Sequence, residues 1–443
     1  SFALSITVAA QAELKPDPAI QKMVNEVSAE KIEEYIRKLA SFGTRNTLSA
    51  QDDPKRGIGA ARDWIYMEFQ KISKDCGDCL VVEKQSFTQP KANRIPEPTV
   101  LTNVVATLRG TTDPDRIYVV SGNFDSMCSS PTAGHCDAPG ANDNASGMAG
   151  TIEAARVLTR LGPFDKSIVF AGLAGEEQGL YGGQHLAAKA KEEGWTIEAV
   201  LNNDMIGNIA GVDQVVDNTV FRVFSEPRPP STTEREWRAI RFYGGEVDGP
   251  SRQVARYVER ITSEYFRNLD AMMIYRLDRF GRGGHHRPFN DEGFPGVRIM
   301  EAHEHYDRQH QDLRTEDGRQ FGDILEYVDF DYARKLTGVN AAVLAALAWA
   351  PPPPQNVEIR GAVQPSATLS WDVERAPDLA GHKVYWRLTT EPQWTNWVYV
   401  PWDGAAEVSH EMTNLVIDNY LFGVASVDAE GHESVVQFPV PGR

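Results

Sequence analysis

The chain has 443 residues, with 45 Lys plus Arg against 62 Asp plus Glu, a formal charge of −17. Nucleic-acid affinity is built largely from Lys and Arg neutralising phosphates, so this balance excludes a phosphate-backbone binder. At roughly 150 residues per domain the length predicts two or three domains with cores of their own. A composition of 41% hydrophobic and 24% charged residues excludes a disordered or fibrous chain. No apolar run reaches the roughly 18 residues that would suggest a transmembrane helix.

Residues 1–12 read SFALSITVAAQA and close on Ala10-Gln11-Ala12, as expected of a signal-peptide remnant. Ser28 can cap a helix carrying Ile32, Tyr35, Ile36 and Leu39 on one face and stopping at Gly43. A second helix is predicted from about Ile58 to Ile72, with Ala61, Trp64, Ile65 and Phe69 inward. Cys76 and Cys79 follow, then Cys128 and Cys136. Four cysteines allow three pairings, and the two local ones cost least in loop closure. Two local disulfides are therefore expected, in a secreted or periplasmic protein.

Candidate buried strands are IYVVSG from Ile117, SIVFAGL from Ser167 and AVLNNDMIG from Ala199, with an amphipathic helix from about Ala145 to Leu161 between the first two. Strand, helix, strand predicts an α/β sheet flanked by helices. Pro351 to Pro354 can neither continue a helix nor donate backbone hydrogen bonds, and read as a stiff extended linker. Beyond it only strands are predicted, in TLSWDV, HKVYWR, NWVYV and YLFGVASVDAEGHES, forming a small all-β sandwich. With Trp371 on an early strand, Tyr385 on the next and Tyr420 opening a strand that ends at the Glu430-Gly431 turn, residues 355–443 resemble a fibronectin type III domain. That resemblance implies binding or spacing, with surface or polysaccharide contact as a candidate role.

Upstream, polar residues gather at strand ends, where open α/β sheets place their ligands. Asn123 and Asp125 follow IYVVSG; Asp143 lies in PGANDNASG before a helix; Glu176 and Glu177 follow SIVFAGL; Asp204 ends AVLNND; His310 lies in YDRQHQD. Carboxylates so placed repel one another unless a cation holds them together.

These motifs, APGANDNASG, AGEEQGLYG, NNDMIG, HRPFNDEGFPGVR and YDRQHQD, resemble those of the M28 family of zinc metallopeptidases, across residues 13–350. The resemblance implies a zinc-exopeptidase-like mixed sheet and one or two zinc ions. It implies Asp143 as the bridging ligand, followed by a cis peptide bond to Asn144. Glu177 and His310 would complete one metal site, Asp204 would belong to the other, and Glu176 would be the general base. Such an arrangement polarises a peptide carbonyl and activates water, so the implied substrates are peptides, cleaved at their N-terminal residues.

Two departures stand out. Asn123 takes the position of a usual histidine ligand, and His285 that of a usual Asp before the next histidine, His286. Asp143, Asp204 and an amide oxygen form an all-oxygen set that suits Mn²⁺ or Mg²⁺ better than Zn²⁺. Three readings stay open: His285 replaces the missing imidazole, the second site is weak or empty, or the fold has lost hydrolysis. Two alternatives to the peptidase are a glutaminyl-cyclase-like single-zinc enzyme and an inactive peptide- or surface-binding protein. Asp125 is expected to orient residue 123, with His286 in a comparable supporting role. His303 and His305 read as surface or supporting residues, His135 as solvated, and Trp195, Trp371 and Trp386 as core. Arg279, Arg282 and Arg287 either receive a substrate carboxylate or offset nearby acids.

Overall fold

The computed structural model describes residues 16–442, so the stretch expected to be a signal remnant lies outside it. Eight strands build the main sheet: β1 (Leu80–Gln89), β2 (Thr99–Leu108), β3 (Asp113–Asn123), β4 (Lys166–Leu173), β5 (Thr196–Asn203), β6 (Val220–Ser225), β7 (Asp270–Ile274) and β8 (Gly296–Glu301). Their order is β1-β2-β4-β3-β5-β8-β6-β7. β4, β3, β5 and β8 run parallel, while β1, β2 and β6 introduce antiparallel pairings, so the sheet is mixed. β4 is buried along its whole length, because helices cover both faces of a parallel sheet and its strands read as continuous apolar runs.

Alternation sorts side chains between two layers. Tyr118, Val120, Ile168, Phe170 and Leu201 face a large core that includes Ile32, Phe69, Ile152 and Leu344 from four helices. Val119, Val169, Ala171 and Val200 face a smaller core with Leu186, Ala187 and Phe289. The helix Ala29–Ala40 starts at Ser28, whose hydroxyl accepts from the Lys31 amide at 3.2 Å. The helix Ala145–Leu161 has the predicted bounds and presses its first turn against β3. A Cβ on Gly122 would come within 2.6 Å of the Gly147 backbone, so glycine permits this approach. The helix predicted from Ile58 extends to Asp75.

The tail forms a four-stranded and a three-stranded sheet around Trp371, Leu369, Val384, Phe422 and Val424. Trp371 is core as expected, while Trp195 and Trp386 are half-buried. Pro351–Pro354, read from the sequence as a stiff extended linker, have neither helix nor strand, and all four are buried. The reason is tertiary: the tail docks back on the α/β part. Arg387 pairs with Asp248 at 2.7 Å, Arg116 with Glu374 at 2.7 Å, and Tyr257 donates to the Glu433 carbonyl at 2.9 Å. The cysteines pair locally, Cys76 with Cys79 and Cys128 with Cys136. Among the described residues no helix is long and apolar enough to cross a membrane.

Candidate metal centre and active site

The parallel strands β3, β4, β5 and β8 deliver their carboxyl ends to one edge of the sheet, and chain order reverses beside β3, where such folds open a crevice. A cleft of about 760 Å³ lies there, lined by Asp143, Glu176, Glu177, Asp204, Arg279, Arg282, Arg287 and His310 among others.

Asp143 precedes the helix Ala145–Leu161 through a cis peptide bond to Asn144. The loop carrying it is held by buried groups. Asp323 accepts from the amides of Asn142 (2.9 Å) and Asp143 (2.6 Å), and the Arg45 guanidinium donates to the carbonyls of Phe124 (2.7 Å), Gly140 (2.9 Å), Leu39 (3.1 Å) and Pro139. Burial lowers the Arg45 pKa to about 10, which leaves it charged at neutral pH. Glu176 and Glu177 sit on a one-turn helix, Glu176–Gly179, entered through Gly175 at φ +68, and not on the strand end itself. Asp125, fully buried, accepts from the Glu177 amide at 3.0 Å and so fixes that turn. His310 comes from a loop, with its backbone at φ +54.

Donor atoms of Asp143, Glu177 and His310 lie within 4.8 Å of one another, the one such group of three among the described residues. His310 Nε2 is 2.9 Å from Asp143 and 3.2 Å from Glu177. Burial disfavours charge on His310, but the Glu177 and Asp143 carboxylates outweigh it and hold its pKa well above the usual imidazole range. Burial likewise raises Asp143, yet the hydrogen bond and charge of His310 bring it down to about 2. Burial, then the Glu177 charge, pushes Asp125 up to about 7 and Glu176 well above the usual carboxylate range. The cluster thus demands positive charge. Glu177 meets His310 through Oε2, while its Oε1 is buried without a hydrogen-bond partner, an orphan acceptor on a residue of this cluster. These residues fit a divalent ion such as Zn²⁺, with the cleft side open.

The second set does not fit. Asn144 Oδ1 accepts from the amides of Gly147 (3.0 Å) and Met205 (3.1 Å), so its Nδ2 must point the other way and donates to Asn123 Oδ1 at 2.7 Å. Asn123 Nδ2 in turn faces Asp125 Oδ1 at 3.3 Å. Both ends of the Asn123 amide are therefore used inside the protein. Asp204 Oδ2 lies 3.0 Å from the guanidinium of the fully buried Arg298. His285 is buried against Gly183, whose amide donates to its Nδ1 at 3.2 Å, and it is not among the three clustered donors. Burial, with His286 and Arg298 nearby, lowers His285 to about 3, so it is neutral. His286 Nε2 contacts the Leu277 carbonyl at 2.7 Å and stands 3.6 Å from Asp278.

Of the remaining histidines, His303 stands 3.7 Å from Asp213, half-buried His305 leaves its Nδ1 without a partner, and His135 is exposed. Arg279 pairs with Glu304 at 2.8 Å, whereas Arg282 and Arg287 are exposed at the rim. Sequence reasoning missed Arg45, Asp278, Arg298 and Asp323. Only Arg298 carried a signal, a cation set among the apolar residues of the run that becomes β8.

Known proteins resemble this chain in sequence and in fold. The model for "Peptidase family M28" matches residues 103–328. A protein of Leptosphaeria maculans named as a probable zinc metalloprotease is 42% identical over 96% of this chain and 98% of its own length. A similarly named protein of Pyrenophora teres f. teres is 40% identical over 96% of this chain and 88% of its own. The LapA aminopeptidase of Legionella pneumophila shares the fold, with a TM-score of 0.52 at 18% identity over 75% of this chain and 76% of that one. An aminopeptidase from Aneurinibacillus sp. strain AM-1 gives 0.51 at 14% identity over 74% and 96%. With an α/β sheet that gathers a His and two carboxylates at its carboxyl edge, and curated relatives matching nearly end to end, the chain belongs to peptidase family M28.

Proposed function

We propose that this protein is an exported single-metal peptidase that removes N-terminal residues from peptides. The observation that carries the reading is the convergence of Asp143, Glu177 and His310 beside Glu176 in one open cleft. Asp143, Glu177 and His310 would hold the ion, which when bound supplies Lewis acidity toward a peptide carbonyl and lowers the pKa of a water. Glu176, next to Glu177 and facing the cleft, takes the proton of the attacking water and returns it to the leaving amine. Asp125 keeps the Glu177 backbone in register, and Asp323 and Arg45 keep the Asp143 loop rigid. The fold shared with the LapA aminopeptidase of Legionella pneumophila supports cleavage at the N-terminus.

Residues 13–350 form the peptidase part in this reading, 351–354 the connection, and 355–443 a fibronectin type III-like module whose two-sheet core around Trp371 supports that likeness. Two disulfides support an oxidising destination. A single three-donor centre also suits cyclisation of N-terminal Gln. The test is a metal-loaded sample with an aminoacyl-anilide panel and a Gln-initiated peptide. Released aromatic amine is expected; ammonia release in its place would favour the cyclase, and silence on both would overturn an enzyme.

A further inference from the structure

Asp204 is the carboxylate that the family resemblance assigns to a second metal, yet a cation built into the chain already stands beside it. β8 lies beside β5 with Arg298 opposite Asn202, two residues before Asp204 and on the same face of the sheet. From there the long Arg298 side chain reaches the end of β5, and its Nη2 pairs with Asp204 Oδ2 at 3.0 Å, both side chains almost wholly buried. Arg298 Nη1 is fixed by both oxygens of Asp278, at 3.0 and 3.1 Å, and by the Gly283 carbonyl at 3.0 Å. Asp278 is itself buried and faces Arg279 and His286 as well. The guanidinium cannot withdraw without leaving buried carboxylates uncompensated.

We propose that Arg298, clamped by Asp278, is a resident cation that replaces the second metal of the fold, so that Asp204 is an arginine partner and the chain binds one ion. A divalent ion at Asp204 would share its carboxylate with a fixed positive charge in a buried setting, where like charges interact strongly. The Asn123 substitution follows the same logic. Where a guanidinium already balances Asp204, an imidazole ligand has no ion to hold, and the Asn123 amide instead links Asn144 to Asp125. Arg298 and not Asn123 therefore decides the fate of the second site, and restoring histidine at 123 does not restore it.

This proposal rests on the reading that Asp143, Glu177 and His310 hold a metal, and the test separates the two. Full-length parent, Asn123→His, and a triple variant (Asn123→His, Arg298→Met, Asp278→Asn) are loaded with excess Zn²⁺, desalted, and their metal counted per chain by mass spectrometry. Asp278→Asn avoids stranding a buried carboxylate, and circular dichroism checks folding. The expected counts are one, one and two. Two ions on the parent or on Asn123→His overturn the proposal, as does a folded triple variant that binds no more than Asn123→His. If the triple variant does not fold, the first two proteins decide, one ion on each supporting the proposal. No ion on the parent would sink the metal reading of the preceding section, and the Arg298 proposal would then stand only if the triple variant alone gains one.

Discussion

The His310 imidazole stands 2.9 Å from the Asp143 carboxylate, although 167 positions of sequence and five strands, β4 to β8, separate the two residues.

That contact sets the first expectation. His310→Ala and Glu177→Ala each remove one of three donors and should abolish stoichiometric metal binding. Glu176→Gln should keep the metal and lose about 10²- to 10⁴-fold in kcat. Metal counting beside kinetics checks both. A Glu176→Gln protein that lost its metal would place Glu176 among the ligands.

Arg45 is expected to matter for stability more than its distance from the cleft suggests. Arg45→Met strands the carbonyls of Phe124, Gly140 and Leu39 in a buried setting and should cost about 3 kcal/mol or more. Denaturant unfolding measures this; a change under about 0.5 kcal/mol, the level of an ordinary surface substitution, would refute the assignment.

Arg282 and Arg287 line the cleft but are exposed. If they receive a substrate carboxylate, Arg282→Gln should raise KM for peptides with an acidic residue near the cleaved bond by about tenfold, leaving neutral peptides unchanged. Equal effects on acidic and neutral peptides would show that the arginines only balance the acids around them.

His432 ties the two ends of the described chain together, its ring nitrogens 2.6 Å from Asp428 and 2.9 Å from Asp17. Burial lowers its pKa, but Asp428 and then Asp17 outweigh this, so the folded value lies above the ordinary 6.5. A raised pKa adds stability that is complete below 6.5 and is lost as pH rises through the folded value. The melting temperature of the parent should therefore exceed that of His432→Gln most at acid pH, and the gap should close toward alkaline pH. A gap that widened with pH would reverse the assignment.

The Cys128–Cys136 bridge closes a short loop next to Met127, which lines the cleft. Replacing both cysteines with alanine should cost about 2 to 3 kcal/mol through chain entropy. Thermal unfolding with and without reductant checks this. A parent indifferent to reductant would mean that the loop is held by its other contacts, such as the Ser129 amide to Asp312.

The sequence by itself determined what is local or periodic. Ser28 as a cap, the bounds of the helix Ala145–Leu161, the buried strands β3 and β4 and the two nearest-neighbour disulfides depend on spacing and on side chains a few positions apart. The motifs also marked Asp143, Glu177 and His310, because strand-end carboxylates need a cation to coexist. Tertiary structure alone decided how charge is balanced around them. That Asp204 belongs to Arg298, that Arg298 is held by Asp278, and that Pro351–Pro354 are buried under a docked tail depend on β8 lying beside β5 and on surfaces far apart in sequence. A buried charge takes its meaning from its partner, and partners are assigned by strand order and packing, which no local pattern encodes.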